Sequence, residues 1–454
     1  PGTAFLNPAT SILSVIPLSS SEFFQEGTEY VIITATGGIV PGSSFKTVTD
    51  LDPLLEFDVR YEANQVVLIM TDSLLILPTD DITNPNAKAI AEYLETCNFT
   101  NPDYVDMLLL LSALNLSDLT DALEQMTPAR FGALHLTNYN NDKAISQILT
   151  DHLRALYRCK PSCDDSENNF FIKPKSLDIW FQPFGYFTHQ DSLEDQRAFK
   201  NNVYGGVIGA DYNFSNNTNF GGAVGYAYSD INWRENLGDA NINSIYAALY
   251  SSSYNRFGFI NVSILGTRNY YDVKRKIVFP NLERQANNDH NGWDFNAHLG
   301  SGLDLLKINN LYFQPTADVD YIYVYQENYK EKGADSLNLV VDSTKFAEVR
   351  GALLFNIIKD VQISNLCLSP AVRIGWIYED QLNSGKITSR LEGVSCTQKK
   401  FRVHTFHENH SKGVVGVNLT GIKNEKFSFY LNYQFEWGKA FHQNNISARF
   451  SWNL

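Results

Sequence analysis

Apolar and polar residues alternate strictly along most of the chain from residue 177 to residue 454. In the last segment Ile446, Ala448, Phe450, Trp452 and Leu454 share one parity, and the residues between them are polar. The same pattern recurs in residues 293–299, 366–376 and 427–437. Because successive side chains of a strand point to opposite faces, each segment has one apolar and one polar face. The pattern predicts strands that separate two media, as in a transmembrane β-barrel.

The connections between these segments predict the number of strands. Five short turns fall at residues 216–217, 254–255, 309–310, 359–360 and 423–424. Six longer loops alternate with them, at residues 189–201, 229–241, 272–290, 326–335, 379–411 and 438–443. Eleven connections join twelve antiparallel strands, with turns on one side of the barrel and loops on the other. The alternatives are a soluble β-sandwich and a soluble β-propeller, although the propeller's repeat of roughly 40 residues is not found.

Residues 84–158 have a different, helical pattern. Asn84 and Asn101 each precede a proline, the combination of capping residue and first helical residue that starts a helix. Apolar residues then recur at helical spacing. We expect the last helix at residues 138–157, where 20 residues at ~1.5 Å each match the ~30 Å thickness of a bilayer core. Lys143, Asp151 and Arg154 make it too polar to face lipid. It is either an amphipathic helix on a soluble domain or a helix inside a hydrated pore.

The first 72 residues predict a small β region. Short apolar segments separated by glycine pairs and other turn residues indicate strands at residues 30–34, 39–45, 54–61 and 65–70. Ile32 and Leu68 are expected in its core. The region is too short for a self-contained fold of this kind, so we interpret it as the end of a longer β structure.

Composition narrows the possible functions. The chain has 454 residues and a net charge of -14, which disfavours binding to nucleic acid. No apolar run approaches the ~20 residues of a membrane-spanning helix. Five scattered cysteines do not make a disulfide scaffold. Cys159 and Cys163 are close enough for a local bridge, but an unpaired state fits their spacing equally well.

Three regions in the right order resemble the C-terminal translocation unit of an autotransporter of the type V secretion system. The end of a β-helix passenger is similar to YVIITATGGIV at residues 30–40 and to residues 54–70. The family's helical linker is similar to DALEQMTPARF at residues 121–131 and to residues 145–158. Its first three barrel strands are similar to WFQPFG at residues 180–185, YGGVIGADY at 204–212 and NFGGAVGY at 219–226.

The resemblance implies a mainly β fold with three parts. Residues 1–72 would be the passenger end with an autochaperone-like role, residues 84–158 the linker, and residues 177–454 a twelve-stranded barrel. The barrel would lie in the outer membrane of a Gram-negative type of bacterium, with its loops and the exported passenger at the cell surface. Implied partners are outer-membrane lipid, periplasmic chaperones, the barrel assembly machinery and the protein's own passenger. The alternatives are an adhesin that uses the barrel only as an anchor, and a simple porin.

The resemblance also assigns roles to particular residues. The apolar row Phe450, Trp452 and Leu454 would be the C-terminal assembly signal, although the family usually ends in an aromatic residue. Independently of the resemblance, the length and polar side chains of residues 138–157, directly before the first strand, predict that this helix occupies the lumen. Arg154 and Arg158 lie four apart on one side of that helix. Their expected partners on the wall are Asp294, Asp318 and Glu436.

We expect no catalysis, cofactor or metal in this chain. Nucleotide-binding loops and nucleophile elbows are not found in a helix-forming context. His404, His407, Glu408 and His410 form a dense ligand cluster, but in an extended loop they need not share a face, so we expect a solvated loop rather than a metal site. Some autotransporters cleave themselves at a linker Asn pair. Asn140 and Asn141 are such a pair, but the residues around them do not match that motif.

Overall fold

A twelve-stranded antiparallel β-barrel dominates the computed structural model. The structure describes residues 2–15, 27–50, 56–72, 77–97, 101–156, 176–193, 197–215, 217–255, 257–308, 310–383, 385–405, 410–423 and 426–453. A β region and a helical region precede the barrel along the chain.

The β region contains five short strands. They are β1 (Ile12–Val15), β2 (Glu29–Thr34), β3 (Thr47–Asp50), β4 (Glu56–Tyr61) and β5 (Gln65–Asp72). Strand β1 pairs in parallel with β3, while β5 lies between β2 and β4 in an antiparallel sheet. The strand expected at residues 39–45 is wrong, because Pro41 and Gly42 form a turn in which Gly42 has a φ of 86°. Leu68 is buried, but Ile32 sits at a β-bulge and is 36% exposed, so its expected core position is wrong too.

Four α-helices follow: α1 (Pro85–Leu94), α2 (Pro102–Ser112), α3 (Leu116–Gln125) and α4 (Gly132–Ala155). The capping interpretation is confirmed, because the Asn84 and Asn101 side chains accept hydrogen bonds from backbone N–H groups of the first turns of α1 and α2. Helix α4 begins six residues earlier than expected. It continues directly from a 3-10 helix at Ala129–Phe131 and has no side-chain cap to mark its start. Among the described residues, no helix combines the length and apolar character that a membrane span requires.

The next eighteen strands contain the barrel. They are β6 (Leu177–Gln190), β7 (Phe199–Ser215), β8 (Thr218–Trp233), β9 (Gly238–Asn255), β10 (Gly258–Phe279), β11 (Leu282–Leu303), β12 (Leu306–Ile308), β13 (Leu311–Gln326), β14 (Tyr329–Lys330), β15 (Leu339–Val341), β16 (Thr344–Lys359), β17 (Val361–Ile363), β18 (Leu366–Gln381), β19 (Lys386–Leu391), β20 (Phe401–His404), β21 (His410–Lys423), β22 (Phe427–Gly438) and β23 (Phe441–Asn453).

Twelve of these strands form a closed ring, which confirms the expected fold class. The ring runs β6, β7, β8, β9, β10, β11, β13, β16, β18, β21, β22 and β23. Strand β23 then pairs with β6 and closes the barrel, so the ring has no free edge. Short β12 and β17 extend the turns that precede β13 and β18.

The two openings of the barrel differ. We call the opening with the five short turns the turn side, and the opposite opening the loop side. Strand β6 begins and strand β23 ends on the turn side, as the even strand number requires. The loop expected at residues 272–290 is wrong, because β10 and β11 continue through it and meet in a two-residue turn.

The extension of β10 beyond the membrane reverses the phase of its apolar residues. Within the barrel Ile260, Val262 and Ile264 point outward and are exposed. Near the loop side Val273 and Ile277 point inward and are fully buried. Apart from Val278, the outward positions of β10 there are polar, because this part of the hairpin stands in water and packs against protein on its inner face.

Helices α1–α3 and the four-stranded sheet β14–β15–β19–β20 form a unit on the loop side that we call the cap. Its apolar core includes fully buried Leu94, Leu108 and Leu111, and it continues onto the inner faces of the extended strands. Two hydrogen bonds of 2.8 and 2.5 Å join Arg284 of β11 to the Asp103 carboxylate of α2. Burial raises the pKa of Asp103, but Arg284 and the donors of Ser336 outweigh this effect and lower it to about 2.

Candidate functional site

Helix α4 lies inside the barrel. Of its 24 residues, 21 are buried, including charged and amide side chains that an exposed helix would leave in water. These side chains bond to strands on opposite walls, among them β7, β11, β13, β18 and β22. A helix whose partners surround it on all sides occupies the lumen. Its first residue lies toward the loop side and its last toward the turn side.

Lys143 fixes the loop-side half of α4. Its Nζ lies 2.8 Å from the Glu436 carboxylate of β22 and 3.9 Å from that of Glu379 on β18. Lys412 of β21 also pairs with Glu379 and lies 4.1 Å from the centroid of the Phe441 ring. All four charged side chains are almost completely buried. Such charges are retained in a protein interior only when they are paired, so Lys143 and these wall residues form one unit.

The middle of α4 contacts a second group on the wall. The Ser146 hydroxyl lies 2.7 Å from Asp320 of β13, and Thr150 lies 3.0 Å from a ring nitrogen of His298 on β11. Asp320 also accepts hydrogen bonds from Arg350 at 2.9 Å, and its carboxylate lies 2.8 Å from His298 Nδ1. Hydroxyl groups of the helix therefore complete a network that the wall has already organised.

Ion pairs fix the turn-side end of the helix. Arg154 donates to both oxygens of Asp318, at 2.7 and 2.9 Å. Asp151 accepts from Arg373 of β18 at 2.6 Å. The two pairs have opposite polarity, since the helix contributes the cation to one and the anion to the other. Such an arrangement resists both rotation and sliding of α4, because either movement would separate buried charges.

The sequence-predicted wall acids meet different helix residues. Arg154 pairs with Asp318, whereas Glu436 pairs with Lys143. Asp294 of β11 accepts a hydrogen bond from Asn269 at 2.5 Å and, among the described residues, forms no ion pair with Arg154. Arg158 lies outside the described residues.

Sequence reasoning missed several residues of this site. The sequence marks Lys143 and Asp151 as polar helix positions, but it does not indicate which wall residues they pair with. The pair between His152 and Asp211 of β7, at 2.5 Å, gave no signal in the sequence. The alternation of the strands predicts that their polar residues face the lumen. It does not predict how the helix is rotated, which decides the pairs.

The Asn pair lies within α4, and both side chains are buried. The Asn141 side chain donates to Ser229 at 3.1 Å and accepts from the Tyr186 hydroxyl. The peptide between the two residues is part of a continuous helix. The mismatch of the surrounding residues with the self-cleavage motif stays a sequence argument against cleavage at this pair, and these contacts hold Asn141 in place.

The last strand closes the barrel through apolar residues. Phe450 and Trp452 are 37% and 47% exposed on its outer face. They stand opposite Phe181 and Ile179 of β6 in the closing pair of strands. Leu454 lies outside the described residues, so two of the three residues of the predicted assembly signal have a place in the structure.

Small cavities remain beside the helix. One of about 30 Å³ lies near its start, against His135, Glu348 and Lys412. Another of about 40 Å³ lies near its end, against Arg154 and Asn418. Each has room for a few water molecules at most. At these two places the helix leaves too little space for a second polypeptide.

Comparison with known proteins gives consistent matches. A family model described as the autotransporter beta-domain matches residues 179–434. Outer membrane protein A of Rickettsia conorii is 23% identical over 282 residues, which cover 60% of this chain and 14% of that protein. Outer membrane protein B of Rickettsia prowazekii is 22% identical over 431 residues, which cover 88% of this chain and 26% of that protein. The chain thus spans about a quarter or less of the length of these two relatives.

A solved structure has the same fold. The translocator domain of the autotransporter NalP from Neisseria meningitidis is 14% identical, with a TM-score of 0.50. The similarity covers 69% of this chain and 97% of the NalP domain. At this identity the likeness concerns the fold alone.

Proposed function

The chain belongs to the autotransporter family, and from this premise we propose that its barrel carries the N-terminal part of its own polypeptide across the outer membrane. The barrel itself is an outer-membrane translocator domain, as the family match and the fold show. What the exported part does on the cell surface is a property of the longer protein.

The main support for this proposal is the path of the chain through the barrel. Helix α4 ends at the turn side, near the beginning of the first barrel strand, and it begins toward the loop side. The β region and the cap helices α1–α3 precede α4 in the chain, and these helices pack on the loop side. This is the arrangement expected after export, when the N-terminal part has passed through the lumen and α4 has stayed there.

The three parts of the chain then have separate roles. Residues 1–72 form the base of the passenger, on which its β structure folds, and residues 84–158 link it to the barrel. Residues 177–454 anchor both. Folding of the passenger outside the cell supplies the free energy that keeps it from sliding back, since no nucleotide is available there. We expect no catalytic role for the described residues.

Assembly of the barrel depends on further partners. Outer-membrane lipid covers the apolar outer face. Periplasmic chaperones and the barrel assembly machinery are proposed to handle the unfolded strands and to recognise the last one through Phe450, Trp452 and Leu454. The outward position of Phe450 and Trp452 on the closing strand supports this role, because a partner can reach them before the barrel closes.

Two epitope tags test the direction of the chain. One is inserted between Ala9 and Thr10, in an exposed turn of the β region, and the other after Ser364, in a turn on the turn side. Antibody should label the first tag on intact cells and the second only after the outer membrane is permeabilised. Labelling of both tags, or of neither, on intact cells with a folded barrel would contradict the proposed export.

A further inference from the structure

A disulfide bond joins the two parts of the cap that come from distant parts of the chain. Cys97 follows α1, and Cys396 lies in the segment between β19 and β20. The two residues are 299 positions apart in the sequence. Cys97 precedes the lumen helix, whereas Cys396 belongs to a connection between two barrel strands. The bond therefore links the exported side of the chain directly to the barrel.

The residues around the disulfide hold the two segments together. The Thr397 backbone donates to Thr96 at 2.9 Å, next to the cysteine pair. The Asn86 side chain exchanges two hydrogen bonds with the His404 backbone, at 2.7 and 3.1 Å. The Tyr93 ring of α1 lies 5.0 Å from the Phe401 ring, centroid to centroid. The cysteines thus meet on surfaces that are already complementary.

We propose that the Cys97–Cys396 disulfide is a covalent tether that keeps the exported N-terminal part attached to the barrel even when the chain between them is cut. The inference rests on the proposed function for the direction of export. The bond closes a covalent ring that contains α2, α3, the lumen helix and the strands up to β19. A single cut anywhere in this ring leaves both fragments joined.

The position of the bond also fixes when it can form. Cys97 reaches Cys396 only after it has crossed to the loop side, so the tether marks the completion of export up to that residue. Two thiols lose two protons and two electrons as the S–S bond forms. The oxidant is another disulfide, of a small molecule or a protein, which is reduced to two thiols in the exchange. From then on α4 cannot withdraw toward the turn side without carrying the cap into the lumen.

A site for a sequence-specific protease tests the tether in the full chain. The site is inserted between Ala113 and Leu114, in the exposed connection between α2 and α3. The folded protein is cut in detergent and then denatured. We expect one species without reductant, and two fragments, residues 1–113 and 114–454, once dithiothreitol is added. Separation without reductant would overturn the tether.

A matched variant and a second measurement control for misfolding. The Cys97→Ser/Cys396→Ser double variant should separate after the cut with or without reductant, while its barrel still shows heat-modifiable migration. Mass spectrometry of unreduced peptides from the uncut protein should find Cys97 linked to Cys396. Recovery of both as free thiols, or linked to other cysteines, would contradict the proposal even if the inserted site disturbs the cap.

The same cut on intact cells separates failure of the tether from failure of export. The cells are washed in moderate urea, which weakens the packing of the cap while the barrel stays folded. We expect the N-terminal fragment to stay on the cells and its release to rise at least tenfold when reductant is added. Release without reductant would disprove the tether and leave export standing. Absence of cutting from outside, in cells whose permeabilised protein is cut, would disprove export, and the measurement on detergent-solubilised protein would then decide the tether alone.

Discussion

The lumen and the cap hold neighbouring parts of one polypeptide in opposite ways. Inside the barrel α4 is held by buried ion pairs and hydroxyl contacts, such as Arg154 with Asp318 and Ser146 with Asp320. In the cap, α1–α3 pack mainly through leucines such as Leu94, Leu108 and Leu111, and a disulfide joins them to a barrel loop. The two regions lie next to each other along the chain, at the start of α4.

The lumen uses charged contacts and the cap uses apolar packing because the two regions have different surroundings before export is complete. A polar wall is hydrated while the lumen is empty, and it does not bind apolar side chains of a passing chain strongly. When translocation is complete, the polar wall binds α4 through specific charge pairs. The cap core forms only where α1–α3 and the extended strands meet in water, on the loop side. There the burial of each large apolar side chain contributes about 1.5–3 kcal/mol.

The largest expected effect comes from leaving a lumen charge without its partner. Asp318→Ala removes the hydrogen-bonded partner of the Arg154 guanidinium, in a pair whose side chains are 7% and 2% exposed. The remaining carboxylate near Arg154 is that of Asp151 at 3.9 Å, which is already paired with Arg373. Removal of one partner of a buried pair costs about 3–5 kcal/mol. We expect a lower temperature for the loss of heat-modifiable migration on gels. The double variant Arg154→Met/Asp318→Leu should regain most of this loss, and equal losses in both variants would show that charge pairing does not hold α4.

A cavity made in the apolar core of the cap should lower the stability of the cap and leave that of the barrel unchanged. Leu108 is fully buried, so Leu108→Ala is expected to cost about 2–5 kcal/mol of cap stability. Limited proteolysis should then cut α1–α3 faster, while the migration of the barrel stays unchanged. The matched control is Leu116→Ala, because Leu116 is 44% exposed at the start of α3. A barrel that melts together with the cap would refute the separation of the two regions.

Adjacent residues on β21 test the contrast between the two faces of the wall. Val417 is 52% exposed on the outer face near mid-strand, and Asn418 faces the cavity at the end of α4. Val417→Arg should cost about 2–4 kcal/mol of folding in lipid vesicles, since the charge meets hydrocarbon. Asn418→Arg should cost clearly less, because its charge stays in a polar space. Equal costs, measured by denaturant titration, would reverse the assignment of the faces.

The smallest effect is expected for an ion pair in water. Lys400 and Asp342 lie 2.6 Å apart on the loop side, with side chains 46% and 39% exposed. Lys400→Gln should cost no more than about 1 kcal/mol, and salt should reduce this difference further. A loss as large as that for Asp318→Ala would mean that burial is not what gives the lumen pairs their strength.

The number of strands and the closed barrel could be predicted from the sequence because the period of two is local. Residues 427–437 carry the pattern within one strand, and lipid selects apolar residues at each outward position. The extension of β10 and β11 could not be predicted in the same way. There apolar Val273 and Ile277 face inward under the cap, so the phase of the apolar residues along β10 is reversed. The charged residues at the outward positions then predict a loop instead of a strand.

The candidate site was predictable in kind but not in detail. The polar residues along α4 indicated a hydrated lumen, and Arg154 was expected to meet a wall acid. Which acid it meets depends on the rotation of the helix and on the stagger of the strands, and neither leaves a local pattern. The Cys97–Cys396 bond is even less predictable from a local sequence pattern. Its residues are 299 positions apart and meet only because the cap folds back onto the barrel.

Single-channel conductance tests most directly whether α4 fills the barrel. The intact chain and a variant lacking residues 84–158 are each inserted into planar lipid bilayers, after heat-modifiable migration has shown that both barrels are folded. The lumen helix predicts low conductance for the intact chain and a several-fold larger conductance for the shortened one. Equal conductance of the two folded proteins would contradict the central claim that this helix occupies and closes the pore.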